Sequence, residues 1–211
     1  MIDDDSHDDT AQVDRLLRAD LPAADEAWVA VRARFAARAA AEGLVDVAFE
    51  DHDTPLGQMR VSATGQGIVR MSLPTENADE VLDHLARNVS PRILRTSTPT
   101  ITTARRELDE YFDGHRRTFD VPLDWMLTKA FRRDVLRATA QIPYGQTSSY
   151  QQVATVAGSP NAVRAAGSAL ANNPLPILVP CHRVLRTDGG LGQYLGGQAA
   201  KIQLLTLEKA I

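Results

Sequence analysis

Residues 147–172 read TSSYQQVATVAGSPNAVRAAGSALAN, and this stretch decides the fold of the second half of the chain. A hydroxyl-led helix start precedes Tyr150, Gly158-Ser159-Pro160 ends that helix, and another helix runs from Asn161 to about Asn172. Two short helices joined by a glycine-containing turn form the helix-turn-helix pattern. The pattern predicts a DNA-binding module, although many helical hairpins with the same pattern bind nothing.

The second of these helices has unusually small side chains. One large residue, Arg164, stands among Ala162, Ala165, Ala166, Gly167, Ser168 and Ala169. A helix this slim fits a groove too narrow for ordinary side chains, such as the DNA minor groove. The alternative is that alanine and glycine serve only close helix packing.

Charge is divided unevenly along the chain, whose net charge is −4. Residues 1–124 carry 14 Lys and Arg against 24 Asp and Glu, whereas residues 125–211 carry 9 against 3. A basic C-terminal half beside an acidic N-terminal half is expected of a chain with one module that binds a polyanion. Ordinary basic helix faces give the same asymmetry, so the signal needs a second observation.

The chemical motif follows the two helices. Ile177–Val179 is predicted to be a short apolar strand that runs into Pro180-Cys181-His182-Arg183-Val184. A lone cysteine is most often a small buried apolar residue. Here Pro180 favours a turn, and the neighbouring base and positive charge favour a thiolate at Cys181.

The geometry of adjacent residues limits what His182 can do. Neighbouring side chains in an extended strand point to opposite faces, so His182 assists Cys181 only from a turn or helical conformation, or through a water. The late acidic residues are Asp188 and Glu208. Glu208 lies on a predicted terminal helix, where it is the candidate for orienting the imidazole in a nucleophile, base and orienter arrangement.

Composition excludes several classes of protein. The chain has 211 residues, 44% of them hydrophobic and 24% charged, as in ordinary globular proteins. Its single cysteine excludes an intrachain disulfide and a zinc site with several thiolates, and the histidines show no ligand spacing, so we expect no metal. Because no apolar run is long enough for a membrane span or a signal peptide, we expect a cytoplasmic protein without a membrane partner.

The N-terminal stretch reads as an extension. Residues 1–10 contain five aspartates, which predicts disorder. Residues 25–42 predict an amphipathic helix packed on the domain, with Trp28, Val31, Phe35 and Ala39 on one face.

In residues 45–124, apolar residues recur first at every second position, as in strands, and then at helical spacing. Three short antiparallel strands are predicted around Val45–Phe49, Met59–Ala63 and Ile68–Leu73. Two helices follow, one after Glu76 and one that ends at Gly114.

We therefore predict an α/β (α+β) protein. After the extension of residues 1–44, a small antiparallel-sheet N-terminal domain covers residues 45–124. A mostly helical C-terminal domain with a winged-helix-like helix-turn-helix covers residues 125–211.

Taken together, the motifs resemble those of the O6-alkylguanine-DNA alkyltransferases, also called methylated-DNA-protein-cysteine methyltransferases. The resemblance runs from about Val45 to the C-terminus. It rests on Thr54-Pro55-Leu56-Gly57, Leu108-Asp109-Glu110-Tyr111-Phe112 with Gly114, Phe119 to Leu123, Ile142-Pro143-Tyr144-Gly145, Ser149-Tyr150, Arg164-Ala165, Asn173-Pro174, the Pro-Cys-His-Arg-Val group, and Tyr194 to Gly197 before Leu204-Leu205.

The resemblance implies direct-reversal DNA repair by a single-use enzyme. An alkyl group would pass irreversibly from O6-alkylguanine to Cys181, with no cofactor, and O4-alkylthymine is a possible second substrate. The partner would be double-stranded DNA that contains the lesion. We expect a monomer in the absence of DNA, with cooperative binding along DNA left open.

The resemblance also assigns roles. In the chemistry, Cys181 accepts the alkyl group, His182 acts as base through water, Glu208 holds His182, and Asn173 braces the cysteine turn. The base would be flipped through the minor groove, with Arg164 filling its place and Tyr150 helping to rotate the nucleotide. The further substrate contacts are Val184, Tyr194, Leu195 and Gly196, and the further DNA contacts are Ser149, Ala165 and Ala169.

Three positions depart from the family pattern. Gln193 and Leu195 stand where small residues surround the pocket tyrosine, so Leu195 is expected to narrow the alkyl pocket. Ala171 replaces a basic residue of several relatives, which predicts weaker phosphate contact.

Three rival functions belong to other classes. Alkyltransferase-like proteins mark lesions without chemistry, but they lack the acceptor cysteine that this chain has. A transcription regulator activated by its own methylation would need a second DNA-binding domain. A cysteine hydrolase would use the same thiolate but would leave the helix-turn-helix and Arg164 unexplained.

Overall fold

The computed structural model describes residues 24–211, in two compact units that divide after Leu44. The first unit contains helix α1 (Ala24–Ala41), which confirms the helix predicted at residues 25–42. Trp28 and Phe35 are exposed, and the packing of this helix on the domain stays a prediction. The predicted disorder of residues 1–10 lies outside the described residues. No helix within residues 24–211 is both long and apolar enough to cross a membrane.

The second unit begins with a four-stranded sheet. Its strands are β1 (Val47–Thr54), β2 (Gly57–Thr64), β3 (Gly67–Ser72) and β4 (Ile93–Arg95), arranged in the order β3-β2-β1-β4. The first three pair antiparallel, as predicted, whereas β4 pairs parallel with β1. The sequence analysis missed β4 because three residues are too few to show an alternating pattern.

Helices cover both faces of this sheet, because successive residues of its strands place apolar side chains on opposite faces. Helix α2 (Ala78–Asn88) packs Val81 and Leu85 against Val47 and Val69. Helix α3 (Pro99–Phe112) covers the opposite face as part of the main core. Both helices begin at side-chain caps, Asn77 for α2 and Thr98 for α3.

The segment that follows α3 docks beside β3. The amide of Ile68 donates to the Pro122 carbonyl at 2.8 Å, and the amide of Asp124 donates back to Ile68 at 2.8 Å. Gly67 permits this approach, since it has φ +147 and an added Cβ would lie 2.3 Å from the Pro122 oxygen. The docking leads the chain from the sheet into the helical part.

The helical part holds the predicted helix-turn-helix. Its elements are α4 (Ala130–Ala140), β5 (Ser148–Ser149), α5 (Tyr150–Val156), α6 (Val163–Ala171), a 3₁₀ turn (Cys181–Arg183), β6 (Val184–Leu185) and α7 (Gly197–Leu207). Strands β5 and β6 pair parallel, which ties the start of α5 to the residues after the cysteine. A capping box between Ser149 and Gln152 begins α5. Mixed helix and sheet content confirms the predicted α+β class.

One predicted element is absent: residues 177–179 form a turn instead of a strand. The amide of Val179 donates to the Leu175 carbonyl at 2.8 Å, and Ile177 adopts a left-handed φ of 73°. Two prolines, Pro174 and Pro176, precede the run and lack the amides that an extended strand would use. The prediction was wrong because it weighed apolar composition above these prolines.

Candidate active site

Cys181 begins a 3₁₀ turn that Pro180 introduces, and its side chain is 5% exposed. Asn173 holds this turn from the preceding loop. Its Nδ2 donates to the Val179 carbonyl at 2.9 Å and to Cys181 Sγ at 3.2 Å, while its Oδ1 accepts from the Leu175 amide at 3.0 Å. One buried amide therefore fixes both the backbone of the turn and the sulfur.

The thiol is not a resting thiolate. Burial raises the pKa of Cys181, and the hydrogen bond from Asn173 and the positive charge of Lys201 offset only part of this effect. The thiolate predicted from sequence rested on the turn at Pro180 and on the neighbouring base and positive charge. Deep burial reverses that expectation, so ionisation of Cys181 needs a base.

His182 is completely buried and pairs with Glu208, whose Oε1 lies 2.9 Å from Nε2 of the imidazole. Burial lowers the pKa of His182, although the carboxylate acts in the opposite direction. Burial also raises the pKa of Glu208, but hydrogen bonds from His182 and Arg183 outweigh it and bring that pKa down to about 2. The pair is thus a neutral imidazole beside an ionised carboxylate.

Arg183 donates hydrogen bonds to the Glu208 carboxylate and none to Cys181. Its Nε and Nη2 donate to the two oxygens of Glu208 at 2.8 and 2.9 Å, and its Nη1 donates to the Ile142 carbonyl at 2.5 Å. The expectation that Arg183 supplies positive charge to Cys181 is corrected here, because the guanidinium is engaged on the far side of the turn.

The cation that acts on Cys181 is Lys201 of α7, which is completely buried. Its Nζ donates to the carbonyl oxygens of Val184, at 2.6 Å, and Leu191. Burial lowers the pKa of Lys201 to about 8, although the coulombic interaction with Cys181 acts in the opposite direction. Both carbonyls belong to the segment that leads from the cysteine turn to α7.

Cys181 opens onto a cavity of about 1010 Å³ that also reaches the helix-turn-helix. Arg164 and Gly167 of α6, Tyr150 of α5 and Tyr194 line it. Gly192 makes room for the Tyr150 hydroxyl, since an added Cβ there would lie 2.6 Å from Tyr150 Oη. A group that enters this cavity would lie among residues of both the cysteine turn and α6.

Comparisons with known proteins identify the family of the chain. A family model described as the DNA binding domain of 6-O-methylguanine DNA methyltransferase matches residues 130–210, and one described as the ribonuclease-like domain of the same protein matches residues 43–125. The constitutive methylated-DNA-protein-cysteine methyltransferase of Bacillus subtilis is 37% identical over 158 residues, which cover 74% of this chain and 92% of that protein. The chain belongs to the methylated-DNA-protein-cysteine methyltransferase family.

Solved structures agree with the assignment. The O6-methylguanine methyltransferase of Mycobacterium tuberculosis is 32% identical, with a TM-score of 0.66 over 78% of this chain and 93% of its own. The structure of the same organism's enzyme in complex with DNA gives the same TM-score and identity. The predicted family, the α+β fold and the class of DNA-repair methyltransferase are confirmed.

Four predicted contacts of the methyltransferase lie away from the cavity wall. Ser149 caps α5, Val184 is buried, and neither residue lines the cavity; Gly196 stands at the start of α7 against Leu73 and Tyr194. Leu195 lines a separate cavity of about 800 Å³, so its narrowing of the alkyl pocket stays a prediction without support from this geometry.

The prediction that Ala169 contacts DNA does not agree with its burial. It is 5% exposed and belongs to the main core, because Ala166, Ala169 and Leu170 recur at helical spacing on the inward face of α6. Arg164 and Ala165, in contrast, are exposed. The outward face of α6 therefore begins with these two residues.

Sequence reasoning missed two functional groups of the methyltransferase. Lys201 lies three and four residues before Leu204 and Leu205, so it shares their apolar face of α7, and a lysine at that spacing was a usable signal. Tyr111 donates to Glu208 from a helix 97 residues away, and no local pattern in the sequence announces such a contact.

Proposed function

We propose that this methyltransferase removes the alkyl group from O6-alkylguanine in double-stranded DNA and keeps it on Cys181. The observation that carries the proposal is the shared cavity, which Cys181 and the exposed helix residue Arg164 line together. A cysteine hydrolase would have no use for a cavity that opens onto a helix-turn-helix.

Proton transfer begins from a neutral imidazole that is hydrogen-bonded to an ionised carboxylate. Because Glu208 is ionised, it accepts a hydrogen bond from Nε2–H of His182, and the lone pair of the imidazole then lies on Nδ1. Nδ1 is buried and has no protein hydrogen-bond partner among residues 24–211. No direct hydrogen bond joins Nδ1 to the thiol of Cys181. We therefore infer that Nδ1 takes the thiol proton through a water molecule.

The transfer itself is one displacement. The thiolate sulfur attacks the alkyl carbon, the bond between that carbon and O6 breaks, and its electron pair returns to the guanine, which takes up a proton. Tyr150 and Tyr194 line the cavity as hydroxyl donors for the leaving base. The product is a thioether, so each molecule acts once and needs no cofactor.

Access to the lesion requires base flipping, because O6 lies inside the stacked duplex. Flipping costs a few kcal/mol and less for a poorly paired base. Arg164 is exposed and lines the cavity, which supports a role for it in filling the space that the flipped nucleotide leaves. We infer that α6 approaches the minor groove with its small outward side chains.

Intact-protein mass spectrometry tests the proposal. Equimolar protein and duplex DNA with one O6-methylguanine are mixed, and the result expected is one methylene of added mass that maps to Cys181. Cys181→Ala is the control and should gain nothing. A parallel duplex with O4-methylthymine tests the second substrate.

Two outcomes would contradict the proposal. Tight lesion binding without a mass change would make the protein a lesion-recognition protein. Repeated turnover on an ester or amide would make it a hydrolase.

A further inference from the structure

Tyr111 connects the sheet-containing part of the chain to the buried Glu208. The tyrosine lies on α3, is completely buried, and donates from Oη to Glu208 Oε1 at 2.6 Å. The matches to the two family models assign these residues to different domains, since Tyr111 falls within residues 43–125 and Glu208 within residues 130–210. A single hydroxyl therefore bridges the two parts at the group that holds the imidazole.

We propose that Tyr111 is a positioning residue for alkyl transfer, which holds the Glu208 carboxylate and shares its charge so that His182 is kept as an oriented, neutral base. The proposal rests on the proposed function for its kinetic consequence. Its structural consequence, the state of the His182 ring, is independent of that function.

The carboxylate of Glu208 is saturated with donors. Oε1 accepts from Tyr111 Oη, His182 Nε2 and Arg183 Nη2, at 2.6, 2.9 and 2.9 Å. Oε2 accepts from Arg183 Nε at 2.8 Å and from the Gly145 amide at 3.5 Å. The shortest of these contacts is that of Tyr111, and it falls on the same oxygen that receives the histidine.

The tyrosine ring is itself held rigidly. Its centroid lies 5.3 Å from that of Phe112, 5.4 Å from that of Phe119 and 6.2 Å from that of Tyr144. Burial, and then the charge of Glu208, raise the pKa of Tyr111 far above its usual range. The hydroxyl therefore keeps its proton at every working pH and remains a donor.

Tyr111 and His182 both donate to Oε1 of Glu208, and this shared acceptor decides how a change at Tyr111 shifts the pKa of His182. A donor that shares the negative charge of Oε1 leaves less of it for His182, which disfavours the imidazolium form. The other ionisable groups around the pair remain in place when Tyr111 is changed: Arg183 in the cysteine turn, Lys201 on α7, Cys181, Tyr144 and Tyr194. Loss of the Tyr111 hydroxyl should consequently raise the pKa of His182.

Tyr111→Phe is the test variant, because it removes one oxygen and keeps the ring. Tyr144→Phe is the matched control: it also removes a tyrosine hydroxyl from the same aromatic cluster, but that hydroxyl donates to the Leu207 carbonyl at 3.0 Å instead of to Glu208. Protonation of His182 is followed by NMR of ring ¹⁵N nuclei in the free protein, with His182→Gln used for assignment. The single-turnover rate on O6-methylguanine duplex is measured against pH.

We expect Tyr111→Phe to raise the pKa of His182 by about one pH unit and to move the acid limb of the rate profile upward by the same amount. Tyr144→Phe should change neither. Replacement of Tyr111 by 3-fluorotyrosine, a stronger donor of nearly the same volume, should shift both readouts in the opposite direction and covers the case in which Tyr111→Phe does not fold.

An unchanged His182 titration in the Tyr111 variants, or an equal shift in Tyr144→Phe, would overturn the positioning role. A wild-type protein that transfers no alkyl group would instead overturn the proposed function, while the NMR titration would still decide the role of Tyr111.

Discussion

At the scale of single residues, Asn173 makes three hydrogen bonds around the cysteine turn. Its one amide group satisfies the Val179 carbonyl, the Leu175 amide and the Cys181 sulfur. The side chain supplies an acceptor to the buried Leu175 amide and a second donor to the Val179 carbonyl, which also accepts from the Cys181 amide at 2.8 Å. The donor to sulfur also opposes the effect of burial on the thiol pKa.

Asn173→Ala should therefore damage both function and stability. Loss of the donor raises the pKa of Cys181 further, and we expect the alkyl-transfer rate at neutral pH to fall by about tenfold or more, since a hydrogen bond to a charged group is worth about 1.5–3 kcal/mol. The buried Leu175 amide, left without its acceptor, should lower the free energy of unfolding by about 1–3 kcal/mol. Single-turnover kinetics and urea unfolding measure the two effects.

The adjacent Asn172→Ala is the control, because the Asn172 side chain is exposed and donates only to the Ser168 carbonyl at 2.8 Å. Equal losses in the two variants would show that Asn173 acts merely by packing.

At the scale of elements, α6 has two faces with different tasks. Ala166, Ala169 and Leu170 are buried in the main core, whereas Arg164 and Ala165 are exposed. The alternatives drawn from sequence, close packing and groove binding, therefore concern different residues of the same helix. Small residues on the inner face serve packing, and those on the outer face are available for DNA.

This division predicts opposite results for two matched substitutions on α6. Ala165→Leu should leave the unfolding free energy nearly unchanged but weaken duplex binding by about tenfold, which corresponds to about 1.4 kcal/mol. Ala169→Leu should overpack the core and cost about 1–3 kcal/mol of stability. Thermal unfolding and fluorescence anisotropy with a lesion duplex separate the two effects. Strong destabilisation by Ala165→Leu would show that the outer face of α6 is misassigned.

At the scale of the whole molecule, the charge distribution sets the electrostatics of binding. The net charge is −4, but residues 125–211 carry an excess of six positive charges. An overall negative protein needs this local excess in order to approach a polyanion. Ala171, exposed at the end of α6, is the departure from the family pattern that predicts a weaker phosphate contact.

Ala171→Arg should restore one phosphate contact. The plot of log K for DNA binding against log salt concentration is expected to steepen by about 0.9, the increment for one neutralised phosphate of duplex DNA. Ala171→Gln, which adds length without charge, is the control. An unchanged slope in Ala171→Arg would show that the end of α6 does not reach the backbone of DNA.

Much of this protein was predictable from sequence because the information is local. The capping hydroxyls and glycine breaks of residues 147–172 specify two helices, period-two alternation specifies three strands, and Pro180 specifies a turn at Cys181. The family motifs, read in order, were sufficient to identify the fold and to single out Cys181 as the proposed alkyl acceptor.

Only the tertiary structure decided what surrounds the reacting group. Burial decides the direction in which the pKa of Cys181 shifts. Burial is a property of the packed chain and not of the Pro-Cys-His-Arg motif. The same holds for the partner of Arg183, for the inward side of Ala169 and for the Tyr111 hydroxyl on Glu208. A sequence pattern specifies what a residue does to its near neighbours, whereas contacts across 97 residues exist only once the core has brought the two segments together.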